Sequence, residues 1–141
     1  MENRSMPYAI ITQNDVSKWD DIEGKKYHFP NKYLRILVPG TKIIYYKGVL
    51  KDKAFEDQRL SKKAHYFGLA EIGAIKIDPE NPKNSFCDFK DYTRFKTAIY
   101  FIDAKTNKYF EKTPPSRESN YWRDGVREIT KDIYESILKN I

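Results

Sequence analysis

The sequence predicts an α+β domain built on a curled, mostly antiparallel sheet or small barrel of five or six strands, with two or three small helices. Three observations support this class. Short β-branched apolar runs are separated by turn residues, a long apolar run is interrupted by glycines, and the C-terminal segment has apolar side chains at helical spacing. The 141 residues suit a single domain that spans 1–141.

The first part of the chain predicts a strand, a short helix, an extended segment and a second short helix. The β-branched run Tyr8–Thr12 predicts the opening strand. Asn14 or Asp15 then caps a short helix. Pro30 disfavours helical backbone at the residue before it, so the segment that leads to it is extended. Residues 31–37 predict the second short helix.

The middle of the chain predicts two strands joined by a long loop. Residues 42–47 are apolar and aromatic and predict a strand. Residues 48–63 are polar and of mixed charge, which predicts an exposed and mobile flap. Residues 65–77 predict a long strand, in which Gly68 and Gly73 indicate bulges or close backbone approach.

The last part of the chain predicts two more strands, a turn back and a closing helix. Residues 86–95 suggest an irregular strand, and residues 97–102 suggest a regular one. A turn at 103–107 reverses the chain into residues 108–110. Thr130 caps the closing helix, whose apolar stripe indicates packing on a core.

The positive charge of the chain is concentrated in one segment. The formal net charge is +6, and residues 24–51 contain seven basic side chains and no Asp or Glu. The rest of the chain carries 19 basic and 20 acidic side chains. The same segment contains Tyr27, His28, Phe29, Tyr33, Tyr45 and Tyr46. Basic charge with interleaved aromatic rings is what binding a phosphate backbone and stacking on a base require. The alternative is a solvated basic face over ordinary core tyrosines.

The residues needed for most catalytic and metal sites are missing. A single cysteine and two histidines rule out a disulfide framework and leave little for a zinc site. No phosphate-binding loop, dinucleotide fingerprint or nucleophile elbow occurs. The sequence therefore predicts no catalytic residue, no metal and no cofactor. No apolar run approaches the roughly 20 residues that span a bilayer, and the predicted setting is a reducing cytoplasm.

Aromatic residues flank the predicted flap on both sides. If the two neighbouring strands pair in an antiparallel way, Tyr45 and Tyr46 come to lie opposite Tyr66 and Phe67. These rings would line the mouth of the barrel, with basic side chains around it. Such an arrangement suits a flat ring held between aromatic walls, with phosphates outside.

Four stretches of the chain carry a family resemblance. They are residues 27–33 (Tyr-His-Phe-Pro-Asn-Lys-Tyr), 37–48 (Leu-Val-Pro-Gly-Thr-Lys-Ile-Ile-Tyr-Tyr-Lys-Gly), 66–73 (Tyr-Phe-Gly-Leu-Ala-Glu-Ile-Gly) and 125–130 (Gly-Val-Arg-Glu-Ile-Thr). They resemble the EVE-like domains of the PUA superfamily, and most closely the N-terminal domain of EVE–HNH modification-dependent restriction endonucleases. The resemblance covers about residues 8–140.

The resemblance implies a PUA-like pseudo-barrel that flips a modified base of duplex DNA into an aromatic pocket. In the EVE–HNH enzymes that base is 5-methylcytosine or 5-hydroxymethylcytosine. No HNH motif occurs within residues 1–141. The chain is therefore expected to be a separate specificity domain or a standalone reader, and not to cut DNA itself.

Position in the chain and the resemblance together give the expected site. One wall of the pocket comprises Trp19, Tyr27, His28 and Phe29, and the other comprises Tyr45, Tyr46 and Tyr66. The side chains expected to read the edge of the base are Asp20, His28 and Asn31. Those expected to hold phosphates are Lys25, Lys26, Lys32, Lys47, Arg59, Lys62 and Lys63. Some of the tyrosines are expected to fill the barrel instead.

Three alternatives stay open. The same fold could read a modified base in single-stranded RNA, as YTH domains do, without the cost of flipping. The chain could instead be a small-ligand or protein-interaction domain whose basic face is incidental. Asp88, Lys90 and Asp91 give a weak nuclease pattern, since some metal-dependent nucleases place an Asp-x-Lys tripeptide on a strand.

Overall fold

The structure is a computed structural model that describes residues 7–15, 21–113 and 121–141, apart from the side chain of Arg123. The strands are β1 (Tyr8–Thr12), β2 (Lys26–Pro30), β3 (Lys42–Lys47), β4 (His65–Ile77), β5 (Asn84–Tyr100), β6 (Ile102–Asp103), β7 (Lys108–Tyr109) and β8 (Val126–Ile129). The α-helix is α1 (Lys131–Leu138), and 3₁₀ helices occupy Asn31–Tyr33, Lys53–Gln58 and Tyr121–Arg123. Most of the predicted helix after β1 lies outside the described residues.

Six of the strands form one mixed sheet in the order β2-β5-β4-β3-β1-β8. β1 and β3 pair in parallel, whereas the other neighbours in this sheet are antiparallel. β6 and β7 form a separate two-stranded hairpin. The predicted α+β class with a curled sheet is confirmed. The parallel pair arises because the chain between β1 and β3 first passes along the far edge of the sheet as β2.

The sheet curls until its two edges approach each other. Tyr27, on the edge strand β2, directs its hydroxyl at the carbonyl oxygens of Thr12 (3.3 Å) and Gly125 (3.2 Å), at the opposite edge. Its ring is buried inside the curl. The desolvation that comes with this burial raises the pKa of the Tyr27 hydroxyl well above its ordinary value, so the hydroxyl remains a neutral donor. One core tyrosine thus links the two ends of a half-barrel.

Both faces of the central strands are covered, and neighbouring residues on a strand therefore enter different cores. The core inside the curl contains Ala9, Ile11, Ile43, Tyr45 and Phe67. The core on the outer face contains Ile10, Ile44, Tyr46, Tyr66 and Ile137. α1 covers part of the outer face, and Thr130 caps it as predicted, since its Oγ1 accepts from the Ile133 amide at 3.3 Å. Within the described ranges, no helix is long and apolar enough to cross a membrane.

The two longest strands are bent rather than regular. The register between β4 and β5 shifts near Gly68 and again between Ile72 and Ile75, as the glycines predicted. A Cβ at Gly73 would lie 2.0 Å from Asp88 Oδ1, so the glycine makes room for the Asp88 side chain at this bulge. β5 is a single strand of 17 residues, where the sequence indicated two.

The loop between β3 and β4 is anchored, in contrast to the mobile flap that the sequence predicted. It contains a 3₁₀ helix capped by Asp52, which accepts from the Ala54 amide at 2.9 Å. Arg59 Nη1 donates to Asp15 Oδ2 at 2.9 Å, and its Nη2 donates to the carbonyl oxygen of Gly48. The side chain of Arg59 is 1% exposed. The loop is thus held against the end of β1 by a buried guanidinium.

Candidate nucleic-acid interface

A cleft of about 310 Å³ opens where the parallel strands β1 and β3 end. The long loop after β3 forms one side of it, and the 3₁₀ helix Tyr121–Arg123 contributes to the other. The lining residues are Thr12, Asn14, Asp15, Tyr46, Gly48, Val49, Lys51, Asp52, Phe55, Arg59 and Trp122. This volume lies at the lower end of the range for small-molecule sites, which suits a single flat ring.

Aromatic rings form the walls of the cleft. The ring centroids of Tyr46 and Trp122 are 5.8 Å apart, with 39° between the ring planes. Phe55 adds a third ring from the loop. The Trp122 ring also packs against Phe101 and Tyr109, with centroid distances of 5.5 and 5.3 Å. Trp122 is therefore both a cleft wall and part of a larger aromatic cluster.

A buried ion pair underlies these walls. The Arg127 guanidinium lies 4.6 Å from the centroid of the Tyr46 ring and 4.9 Å from that of Trp122. Its Nε and Nη2 donate to the two carboxylate oxygens of Glu111, at 2.7 and 3.0 Å. Glu111 also accepts from the hydroxyls of Tyr66 (2.6 Å) and Tyr121 (2.7 Å). A bidentate pair with both oxygens further satisfied fixes the position of the guanidinium, and hence of the rings stacked on it.

The protonation states within this network are fixed by its surroundings. Burial, together with the charge of Glu111 and its hydrogen bond, raises the pKa of the Tyr66 and Tyr121 hydroxyls above their ordinary values. Burial alone would lower the pKa of Arg127, but Glu111 outweighs it and the net shift is upward. The guanidinium therefore stays charged, and the two phenols stay neutral donors.

A second group of ion pairs, centred on Asp15, connects the segments that form the rim of the cleft. Asp15 accepts from Lys47 Nζ at 3.1 Å and from Arg59 Nη1 at 2.9 Å. Asn14 Oδ1 accepts from the Gly48 amide at 3.0 Å. Lys47 and Arg59 were predicted to hold phosphates, but their side chains are only 11% and 1% exposed. Because both already pair with the Asp15 carboxylate, the structure gives both a role in shaping the rim.

Of the predicted wall residues that the structure describes, only Tyr46 lines the cleft. Tyr45 points inside the curl, is 0% exposed, and its hydroxyl accepts from the Gly24 amide at 2.9 Å. Tyr46 pairs with Tyr66 as predicted, but Tyr45 pairs with Gly68, because the register shifts between Tyr45 and Tyr46. The Tyr66 ring, however, is fully buried and its hydroxyl is bonded to Glu111. Tyr27 and Phe29 belong to the core inside the curl. Tyr45, Tyr66, Tyr27 and Phe29 are therefore packing residues, as sequence reasoning expected of some.

The predicted readers of the base edge that the structure describes lie away from the cleft. His28 Nε2 is 2.9 Å from Asp78 Oδ2, and its ring stacks on Phe86 with centroids 4.2 Å apart. The Glu80 amide and His28 together hold the pKa of Asp78 below its ordinary value. Asn31 donates to the carbonyl oxygen of Pro82 at 2.8 Å. His28 and Asn31 thus fix the turn before β5. Trp19 and Asp20 lie outside the described residues.

The remaining predicted phosphate ligands form two groups. Lys25, Lys26 and Lys32 lie on or beside β2, and the ammonium groups of Lys26 and Lys32 sit over the rings of Phe86 and Tyr33. Lys62 and Lys63 are exposed on the loop that borders the cleft. Lys62 pairs with Glu56 at 3.3 Å, and Lys63 sits 5.2 Å over the ring of Tyr100.

Three features of the site were not found from the sequence. Trp122 lies outside the resemblance motifs, although a tryptophan after a Pro- and Ser-containing loop was a visible candidate for a stacking wall. Phe55 was not considered, because the sequence predicted that residues 48–63 form a mobile flap. The pairing of Arg127 with Glu111 was indicated in the sequence only by two charged residues between Val126 and Ile129. The strand that contains them was missed, because Gly125–Thr130 was interpreted only as the approach to the helix.

The nuclease alternative gains no structural support. Asp88 Oδ1 accepts from the Ala74 amide at 2.6 Å and thereby stabilises the bulge beside Gly73. Lys90 and Asp91 are exposed on β5. Among the described residues, no group of three or more His, Cys, Asp or Glu side chains could hold a metal ion.

Comparison with known proteins gives a structural likeness and no sequence family. No protein-family model and no curated protein matches the chain. Among solved structures, the N-terminal domain of McrB from Staphylothermus marinus superposes with a TM-score of 0.52 at 13% identity. The match covers 95% of this chain and 94% of that one. At this identity the likeness is one of fold, and it supports the predicted PUA-like α+β architecture.

Proposed function

We propose that this chain is a DNA-binding specificity domain that takes a modified base of duplex DNA into the cleft that Tyr46, Phe55 and Trp122 line. The observation that carries the proposal is the pair of aromatic walls at the end of β1 and β3, fixed by the buried guanidinium of Arg127. The fold likeness to the McrB N-terminal domain and the resemblance to EVE–HNH enzymes support a place in a modification-dependent restriction system.

The energetics favour such uptake. Extruding a base from a duplex costs a few kcal/mol. Stacking on an aromatic side chain contributes about 1–3 kcal/mol per base, and edge hydrogen bonds add to it. The lining includes Asp52, whose carboxylate caps the Ala54 amide with one oxygen and can offer the other to an exocyclic amino group. This chemistry suits 5-methylcytosine or 5-hydroxymethylcytosine, the bases that the EVE–HNH resemblance implies.

The chain itself is proposed to bind without cutting. Cleavage would belong to a nuclease domain, of the HNH type in the enzymes it resembles. Lys62 and Lys63, next to the cleft, are proposed to contact phosphates there, and Lys25, Lys26 and Lys32 to contact flanking DNA from the β2 side.

A binding panel tests this function. Duplexes that differ only in one base, as cytosine, 5-methylcytosine, 5-hydroxymethylcytosine or N6-methyladenine, are titrated with the full chain and followed by fluorescence anisotropy. A single-stranded RNA with N6-methyladenine completes the panel. We expect tightest binding to one of the modified cytosine duplexes. Equal binding to all duplexes would contradict a base reader, and preference for the RNA would instead favour the YTH-like alternative.

The phosphate contacts are tested by the salt dependence of the same binding. Replacing Lys62 and Lys63 by alanine should weaken binding to modified and unmodified duplexes alike. It should also reduce the slope of log K against log salt concentration by about 2, since each phosphate contact contributes about 0.9. The Lys25, Lys26 and Lys32 triple variant is expected to reduce the slope less, because these lysines lie on or beside β2 and not on the loop that borders the cleft.

A matched control removes the same charge elsewhere. Lys131 and Lys139 are exposed on or beside α1, which packs at the opposite end of β1 through Tyr8 and Tyr134. Their double alanine variant should leave the salt slope nearly unchanged. If both double variants lower the slope equally, binding follows net charge and not a defined face.

A further inference from the structure

The β6–β7 hairpin carries an exposed aromatic ring that the fold does not need to bury. Tyr109 is 51% exposed, and its ring centroid is 5.3 Å from those of Phe101 and Trp122. Trp122 in turn is a wall of the cleft. A continuous series of rings therefore leads from Tyr46, inside the cleft, through Trp122 to Tyr109 at the surface.

Exposed apolar side chains gather on this side of the molecule. Among the described residues, the exposed large apolar side chains are Ile22, Val49, Ile77, Tyr100, Tyr109 and Ile141. Val49 lines the cleft, Tyr100 meets Phe101 edge to face with centroids 5.1 Å apart, and Tyr109 is on the hairpin. Exposed apolar surface that is concentrated beside a cleft indicates a binding surface.

The charge of the hairpin matches a polyanion. Lys105 and Lys108 are exposed on it, Lys112 is exposed just after it, and Lys63 lies over Tyr100. The nearby acidic groups are already engaged. Glu111 is paired with buried Arg127, and Asp103 Oδ1 accepts from the Lys105 amide at 2.9 Å.

The hairpin presents this ring in a defined position. The Asn107 amide donates to the Asp103 carbonyl oxygen at 2.7 Å, and the Lys108 amide donates to Thr106 Oγ1 at 3.3 Å. Asn107 adopts a left-handed backbone with φ 58°, which asparagine tolerates better than most residues. A closed turn holds the tyrosine in place before any ligand arrives, which lowers the entropy cost of stacking on it.

We propose that Tyr109 is a second stacking site, which holds a nucleotide flanking the one in the cleft, while Lys105 and Lys108 contact its phosphates. This inference rests on the proposed function, since it takes the cleft to hold a base of the same strand. Tyr109 touches the flanking nucleotide and not the modified base. Its contribution is therefore to affinity, with no part in discrimination between modified and unmodified DNA.

Variants at one position test this inference. Tyr109→Leu keeps apolar cover over Trp122 but removes the aromatic face, and Tyr109→Phe keeps the face. We expect Tyr109→Leu to weaken binding to the preferred modified duplex and to its unmodified counterpart by a similar factor, about tenfold. The ratio of the affinities for the modified and the unmodified duplex should stay as in the original protein. Tyr109→Phe should bind both duplexes as tightly as the original protein. Thermal melts of both variants check that the fold is retained.

The outcomes separate this inference from the proposed function. If the original protein prefers a modified duplex and Tyr109→Leu binds as tightly as it does, the second stacking site is wrong while the proposed function stands. If Tyr109→Leu loses the preference itself, Tyr109 belongs to the reading of the modified base, which also contradicts the inference. If the original protein shows no preference among duplexes, the proposed function has failed.

Discussion

Replacing Trp122 by alanine is expected to lower the preference for modified over unmodified DNA by about tenfold or more, because one wall of the cleft and its stacking energy are lost. Weak, salt-dependent binding should remain, since contacts with phosphates do not depend on the base. Anisotropy titrations with the matched duplexes measure both quantities. Trp122→Phe, which keeps a smaller ring, should retain part of the preference.

A matched aromatic control lies on β5, where Phe86 pairs with His28 of the edge strand β2. Phe86 is a partly buried ring that stacks on His28, so Phe86→Ala removes a comparable ring from the site that the sequence first suggested. We expect this variant to keep the full preference. A stable Trp122→Ala protein that discriminates as well as before, or a Phe86→Ala protein that does not, would contradict the placement of the base in this cleft. The same assay on Trp19→Ala tests the expectation for that residue.

Breaking the buried pair of Glu111 and Arg127 should produce the largest loss of stability. Glu111→Gln or Arg127→Met leaves a buried charge without its partner, which costs about 3–5 kcal/mol. A domain of this size has a free energy of unfolding of about 5–15 kcal/mol, so each single variant should be close to its unfolding limit. Urea denaturation of the variants gives the free energies.

The double variant tests whether the loss of stability comes from the interaction between Glu111 and Arg127 or from independent effects of the two changes. Glu111→Gln together with Arg127→Met removes both charges, so it should cost clearly less than the sum of the two single changes. Additive losses, or a single variant within about 1 kcal/mol of the original protein, would show that the two charges are not coupled as the distances of 2.7 and 3.0 Å require.

Local signals sufficed for most of the fold. The strands Tyr8–Thr12 and Lys42–Lys47, the bulges at the glycines of β4 and the Thr130 cap follow from nearest-neighbour chemistry. β8 was missed because Arg127 makes it look half-polar. The partner that satisfies this charge, Glu111, is sixteen residues away and is brought there only by the fold.

The site was harder to predict because its open side is decided by tertiary packing. Tyr45 and Tyr46 face opposite sides of a sheet that is covered on both faces, so the apolar pattern cannot tell which ring reaches a cleft. The lysines of residues 24–51 are close together in the sequence, but the fold places them on different parts of the molecule. Lys47 pairs with Asp15 at the rim of the cleft, whereas Lys25, Lys26 and Lys32 lie on or beside β2.

The central claim is that a base enters the cleft lined by Tyr46, Phe55 and Trp122, and an NMR titration of the isotope-labelled full chain with the preferred modified duplex tests it most directly. The account predicts that the indole N–H of Trp122 and the amides of Gly48 and Phe55 shift most, and shift more with the modified than with the unmodified duplex. Changes centred on His28 and Asn31, with the Trp122 indole unmoved, would contradict it.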